Sequence, residues 1–327
     1  MPRLIDPGSK HLRVLARRRI GQLKLNRISR KAQARYRAAL ARFQLFCGAV
    51  GSLILDDTET LDQVASQYIE SLWEEGDSRS EAGLTLSALQ WALQKKRILP
   101  ASWSLFKAWS LLELPRRAPP LPALVLSGLV GVALAEGLLG VAATLLTGFA
   151  GFLRTMEFMT LTASQLTFSD DGCLIILPLT KSGRRRGGPE TVQISDPQAV
   201  QLLWLAASRS TLRTHPLSEL QPQAFRQWFR RALATLRVSE VGFLPYSVRR
   251  GGATHMYGLQ PNLPHVLLVG RWDDTRTARI YITEGALFLT KLALSEDAAA
   301  LSRQYAEVVA HVLGLRPSSA LAAKNAA

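Results

Sequence analysis

The chain has 327 residues, enough for two domains with separate cores, and 47% of them are hydrophobic, which excludes a disordered chain. Forty Lys and Arg against 25 Asp and Glu give a formal charge of +15, a balance that favours a polyanionic partner, either nucleic acid or an anionic membrane surface. Cys47 and Cys173 lie far apart with no Cys-x-x-Cys or Cys/His spacing, so neither a disulfide framework nor a zinc site is expected, and an intracellular compartment is favoured.

The charge concentrates at the start. Residues 1 to 37 carry twelve Lys and Arg against the single acid Asp6, a net +11 of the total +15. Arg17, Arg18 and Arg19 form its densest run. The stretch reads as a basic arm that neutralises phosphates, or as a solvated tail or address label. It lacks an apolar run ahead of a small-residue cleavage site, so no secretory signal is expected, while a mitochondrial presequence stays open.

From Tyr36 the apolar residues take up helical spacing: Tyr36, Ala39, Leu40, Phe43, Phe46, Cys47 and Val50 predict a first helix. Leu61, Val64, Ala65, Tyr68, Leu72 and Trp73 predict a second behind a Thr60-x-x-Gln63 capping box, and Ser78-x-x-Glu81 opens a third through Trp91. A fourth run covers 103–112. The aromatic residues are read as core of a four-helix unit. Four prolines within 114–122 then mark a linker.

Residues 121–153 are apolar and long enough to cross a bilayer, but they are rich in glycine, carry Glu136 near the middle and run straight into Arg154 and Glu157. Two buried helices of a globular domain are the expectation. Downstream, "CLIILPLT" and "ETVQI" flank "KSGRRRGGP" as two strands around a cationic turn. Pro222 starts a helix that buries Phe225, Trp228, Phe229, Ala232, Leu233 and Leu236, with Arg226, Arg230 and Arg231 on its other face. His255 and His265 have no partners at ligand spacing and are read as structural or surface residues.

Arg154, Lys181, Arg249 and Trp272 precede Tyr281, and in this order the chain resembles the tyrosine recombinase or phage integrase family. "TGFAGFLRTMEFMTL" is similar to the family's first arginine helix, "LPLTKSGR" to its lysine hairpin and "YSVRRGGAT" to its H-x-x-R box. "GRW", with Tyr281 nine residues after the tryptophan, resembles the final box and nucleophile, and 32 residues separate Arg249 from Tyr281. The resemblance covers most of the chain. One position departs from it: Tyr246 stands where the family has histidine, and a phenol is a poor base near neutral pH.

The resemblance implies site-specific cleavage and rejoining of DNA through a 3′-phosphotyrosyl intermediate, with Tyr281 as nucleophile. Arg154 and Arg249 would bind the non-bridging oxygens as charge develops on them. Lys181 would protonate the departing 5′ oxygen, Trp272 would donate its N–H or pack the tyrosine helix, and Glu157 is expected to orient Arg249 or Tyr246. Tyr246 itself counts among the catalytic set. Arg17, Arg18, Arg19, Arg184, Arg185, Arg226, Arg230 and Arg250 are expected on DNA, and Gly251 and Gly252 are expected to let their helix pack closely. No metal or cofactor is expected. The partners implied are double-stranded DNA and further copies of the chain, a homotetramer on two DNA sites, with no membrane; the location implied is intracellular with DNA, in nucleus or nucleoid.

The expected architecture is mainly α with a small antiparallel β-sheet: a basic arm over 1–34, a helical core-binding domain over 35–114 that clamps DNA, and a mixed α+β catalytic domain over 115–327. The segment 297–314 has helical apolar spacing suited to docking on a neighbouring copy or on its own domain. A DNA-binding protein that keeps the scaffold with weak or no chemistry is the alternative function. Topoisomerase-like products would follow from the same tyrosine chemistry.

Overall fold

Every predicted helical stripe with aromatic anchors becomes a helix in the computed structural model, which describes residues 10–20, 27–51, 57–113, 117–178, 183 and 188–314. The chain divides into two compact units, Met1–Arg116 and Arg117–Ala327.

In the first unit, α1 (Lys10–Ile20) lies within the basic stretch and ends on Arg17, Arg18 and Arg19. The bundle proper is α2 (Arg30–Ala49), α3 (Thr58–Glu74), α4 (Arg79–Ala92) and α5 (Pro100–Leu112). It closes over Phe43, Cys47, Leu61, Val64, Tyr68, Leu72, Leu86, Leu99 and Trp109. Phe43 meets Tyr68 edge-on at 5.4 Å, and Trp73 meets Trp109 likewise at 5.3 Å, geometries in which the positive ring edge faces the negative ring face.

Two capping expectations are corrected. The cap of α3 is Asp57, whose carboxylate accepts from the amides of Glu59 and Thr60 at 2.8 and 2.7 Å; a carboxylate at the positive helix end outcompetes the Thr60 hydroxyl, which itself donates to Asp57. At α4, Ser78 is the N-cap as expected, but no helix amide bonds to its side chain: its hydroxyl pairs with that of Ser80, and Glu81 pairs with Arg42 of α2. Asp62 caps across the bundle. It is buried, and it accepts from the amides of Ala101 and Ser102 at 2.8 and 2.9 Å, satisfying the first turn of α5 behind Pro100.

In the second unit the long apolar stretch is two helices, α6 (Ala123–Ala135) and α7 (Leu139–Ala150), almost wholly buried. Glu136 sits at their junction and accepts from the Trp228 indole N–H at 3.0 Å. No described helix is long and apolar enough to cross a membrane. The short α8 (Thr155–Met159) leads into a three-stranded antiparallel sheet in the order β1 (Leu166–Ser169), β2 (Gly172–Leu177), β3 (Glu190–Ile194). Cys173 pairs with Ile194, Ile175 with Val192 and Leu177 with Glu190, so the alternating residues Cys173, Ile175, Leu177, Val192 and Ile194 face the core. β1 adds a strand to the two expected. Its four residues are too short for a period to register, and it is joined to β2 by a two-residue turn ending at Gly172, whose φ is 126°.

Helices α9 (Pro197–Arg209), α10 (Pro222–Thr235), α11 (Ser247–Leu259), α12 (Leu263–Gly270), α13 (Thr275–Lys291) and α14 (Glu296–Val312) complete the unit. α10 buries Phe225, Trp228, Phe229, Ala232 and Leu233, and leaves Arg226, Arg230 and Arg231 exposed. α14 packs along α6, so closely that a Cβ on Gly131 would lie 1.8 Å from the Tyr305 carbonyl oxygen. The segment expected to dock on either its own domain or a neighbour is thus seated on its own. At α11 the glycine expectation holds in detail: a Cβ on Gly251 would meet Leu121 O at 2.1 Å, and one on Gly252 would meet Phe149 O at 2.0 Å.

Candidate active site

The close approach of α11 to the end of α7 brings Arg249 beside Phe152, the point from which the site is built. Arg249 is 2% exposed. One terminal nitrogen donates to the Phe152 carbonyl and the other to Gly270 O at 2.7 Å, tying the segment before α8 to the end of α12. Its guanidinium lies 5.0 Å from the centre of the Trp272 ring, a cation–π contact that retains charge in a dry place. Burial and the neighbouring Arg271 and Arg154 push its pKa down to about 10, which leaves it cationic at neutral pH.

Trp272 is stacked between Phe152 and Tyr281, with ring centres 6.3 and 4.9 Å away. Tyr281 lies within α13, whose N-cap Asp274 accepts from the amide of Arg276. Its hydroxyl makes a short hydrogen bond to that of Tyr246, the residue preceding α11. Burial, then the bond to Tyr246, pushes the Tyr281 phenol up to about 12 against the opposing pull of Arg249 and Arg250. The stacked Trp272 and the paired Tyr246 phenol hold the Tyr281 ring from two directions.

Arg154 caps α8 while Glu157 reaches back to it. Glu157 Oε2 accepts from the Arg154 amide at 2.8 Å, and Oε1 accepts from the Arg154 guanidinium at 2.5 Å. The Arg154 side chain is 37% exposed. Glu157 was expected on Arg249 or Tyr246; its carboxylate instead divides between Arg154 and Arg271, because the helix N-terminus and capping geometry point it that way. Burial would raise its pKa, but the Arg271 charge and the bonds from Arg154 hold it below the usual carboxylate range.

No family model and no curated protein matches this chain. Among solved structures it is similar to XerH site-specific recombinase bound to palindromic difH substrate in a post-cleavage complex, at 17% identity and a TM-score of 0.55, covering 86% of this chain and 82% of that one. It is similar also to the Tn1549 transposon integrase in complex with transposon right end DNA, at 11% identity and a TM-score of 0.56, covering 85% and 94%. This chain has the tyrosine recombinase fold.

Within that recombinase fold, Arg154, Glu157, Tyr246, Arg249, Trp272 and Tyr281 converge on one site. Lys181, Arg184 and Arg185 lie outside the described residues. Arg226 and Arg230 are exposed on α10, and Arg17, Arg18 and Arg19 are exposed on α1 of the other unit. Arg250 is placed differently from the DNA-facing set in which it was expected. One residue beyond Arg249 on α11, it is turned inward, donating to Ala118 O at 2.7 Å and Glu284 at 3.3 Å, with its guanidinium 5.3 Å from the Tyr281 ring centre.

Arg271 is a residue the sequence reading assigned no role. It is buried, sits in the left-handed region at φ 55° and ψ 43°, and donates to Glu157 at 2.8 Å. Its one sequence signal was the extra cation inside "GRW".

Proposed function

We propose that the protein cleaves and rejoins DNA through a covalent link between Tyr281 and a 3′ phosphate. The Tyr281 oxygen attacks phosphorus, the bond to the 5′ oxygen breaks, and that oxygen takes a proton. Arg154 and Arg249 supply positive charge where the non-bridging oxygens gain negative charge. Lys181 is assigned the proton for the leaving oxygen. Tyr246 relays the proton of Tyr281 through the hydroxyl contact, passing its own to solvent as it takes the nucleophile's, and Trp272 holds the nucleophile's ring. Reaction written this way passes through no metal. Double-stranded DNA is the substrate, with a homotetramer on two sites as the working assembly, inside the cell wherever that DNA lies.

The observation that carries this reading is the Tyr246–Tyr281 hydroxyl pair, with the Tyr281 ring stacked on Trp272 and Trp272 in turn against the buried Arg249. Recombinase and integrase neighbours solved with DNA support it. The test is trapping on nicked suicide duplexes: the parent should form a protease-sensitive protein–DNA adduct and Tyr281→Phe none. An adduct retained in that variant would remove Tyr281 from the role.

A second reading, a DNA-binding protein without efficient chemistry, is favoured by the Tyr281 pKa of about 12 and by a phenol at position 246. Tight duplex binding without any adduct would select it.

A further inference from the structure

We propose that Arg250 is a positioning residue for the nucleophile: from inside α11 it straps α13 to the extended stretch that enters the unit, and so holds the Tyr281 ring in place. The inference rests on the cleavage reading above, which it deepens.

The Arg250 side chain is only 4% exposed, and its bonds reach two other segments. Nη1 donates to Ala118 O at 2.7 Å and Nη2 to Glu284 Oε2 at 3.3 Å. The other oxygen of that carboxylate accepts from Arg117 at 2.6 Å, so Glu284 is held by both arginines. The guanidinium carbon lies 5.3 Å from the centre of the Tyr281 ring, within reach of a cation–π contact. Tyr281 and Glu284 are three residues apart and therefore neighbours on one face of α13. A single side chain thus grips the nucleophile's helix at two points. One turn along α11, Thr254 continues the line: its hydroxyl lies 3.1 Å from the Tyr281 carbonyl oxygen, and a Cβ on Gly285 would meet it at 2.2 Å. The entering stretch is itself fixed to α11, since the Leu121 amide donates to Ser247 O at 3.0 Å.

Packing alone does not account for an arginine here. Its buried Nε makes no hydrogen bond among the described residues, a cost that an apolar side chain of like size would not carry. A DNA contact does not account for it either, because both Nη atoms are engaged with protein and the side chain is buried. What the guanidinium supplies is a rigid fork that bonds two segments at once and a delocalised cation beside the ring. The charge works in the same direction. Against burial and the Tyr246 bond, which raise the Tyr281 pKa, Arg249 and Arg250 pull it down, so the phenolate that forms during attack is favoured from beside its ring.

The test compares the parent, Arg250→Met, Arg250→Lys, Glu284→Gln and Arg250→Met/Glu284→Gln in the full chain. Methionine keeps the stem but removes the charge and the fork. Adduct formation at saturating duplex should fall about tenfold or more in Arg250→Met, a loss of the size seen for charged hydrogen bonds, while the slope of log affinity against log salt stays that of the parent. A Met variant as fast as the parent would overturn the inference. A slope flatter by roughly 0.9 would do so too, by putting Arg250 on a phosphate. Lysine keeps the charge and should recover part of the rate; a slow Met variant with no relief in lysine is what lost packing predicts and counts against the strap. Glu284→Gln should slow the adduct about twofold or more. Combined with Arg250→Met, it should lower the rate by less than the product of the two single losses, since both cut one tie; losses that multiply would refute it. Should Arg250→Met fail to fold, the half-exposed Glu284→Gln and Arg250→Lys carry the comparison: slower adducts at an unchanged salt slope support the strap, and parental rates in both refute it. The cleavage reading is judged apart, by the parent's adduct and its loss in Tyr281→Phe. In a parent without adduct, amide hydrogen exchange along α13, taken relative to α10, replaces the rate: Glu284→Gln should speed it about twofold or more and Arg250→Met further, while unchanged exchange would sink the proposal.

Discussion

Gly252→Ala tests how the site is assembled. The added Cβ would lie 2.0 Å from the Phe149 carbonyl oxygen and 2.9 Å from the Phe152 ring, where ordinary contact begins near 3.4 Å. Because the obstacle is backbone, α11 and the end of α7 must part by about 1 Å, and overpacking of this kind costs about 1–3 kcal/mol. Alanine returns about 1 kcal/mol through helix propensity. Taking the upper part of the range, the net loss is about 2 kcal/mol, equivalent to a fall of about 4–8 °C in the melting of a unit this size. Gly258, on the same helix, supplies the control, since a Cβ there meets nothing within 4 Å. Gly258→Ala should stabilise by up to about 1 kcal/mol. Scanning calorimetry reads both. A Gly252→Ala protein that melts no lower than the parent, or a Gly258→Ala protein that falls as far, would refute the steric account. The same shift should loosen Arg249 from Phe152 O, so adduct formation should drop with the melting temperature.

Other outcomes follow from particular groups. Adduct formation should rise about tenfold per pH unit from about pH 7 to about pH 9, because the Tyr281 phenol is pushed up to about 12; a plateau below that range would contradict it. The protonated phenol is favoured in the folded state, so its contribution to stability is complete below the unfolded tyrosine value of about 10 and is lost as pH rises through about 12. Tyr246→Phe removes the hydroxyl that helps raise that pKa, and the pH–rate limb should move to lower pH; an unmoved limb would show the hydroxyls uncoupled. Asp62→Ala strips buried acceptors from the amides of Ala101 and Ser102 and should destabilise the helical unit by about 2–3 kcal/mol, read by denaturant titration. Deleting residues 1–26 should flatten the slope of log affinity against log salt by roughly 0.9 per lost phosphate contact, and an unchanged slope would make the stretch a tail or address label.

The bundle helices were legible because their burial repeats at helical spacing, and the two buried helices after the proline-rich stretch because a long apolar run is interrupted by Glu136 near its middle, signals that neighbouring residues carry. The order of Arg154, Arg249, Trp272 and Tyr281 was legible for a similar reason: each sits in a short local motif. Pairings across the fold left no such trace. Arg249 and Arg250 are adjacent and chemically identical, yet the step of about 100° between neighbours on α11 sends the first to Phe152 O and Gly270 O and the second to Ala118 O and Glu284. Arg271 depends on a left-handed backbone and on carboxylates from α8 and β3, none of which a linear pattern encodes. Thr60 stood at capping-box spacing from Gln63, and what gave the cap to Asp57 instead was the charge of its carboxylate at the helix end.

The seating of α14 on α6 governs how the chain can mature. α6 is among the first parts of its unit to leave the ribosome, and α14 emerges after all the unit's other described elements. Until then the apolar surface around Gly128 and Gly131 has no cover, since the backbone of Ser302 and Tyr305 is what fills it. Synthesis of the unit therefore keeps a sticky surface open for almost its whole duration, a period in which holdase chaperones have a target. Transcripts cut short before residue 296 would yield polypeptides fit for aggregation or degradation, so that the cell gains little partially built product able to grip DNA.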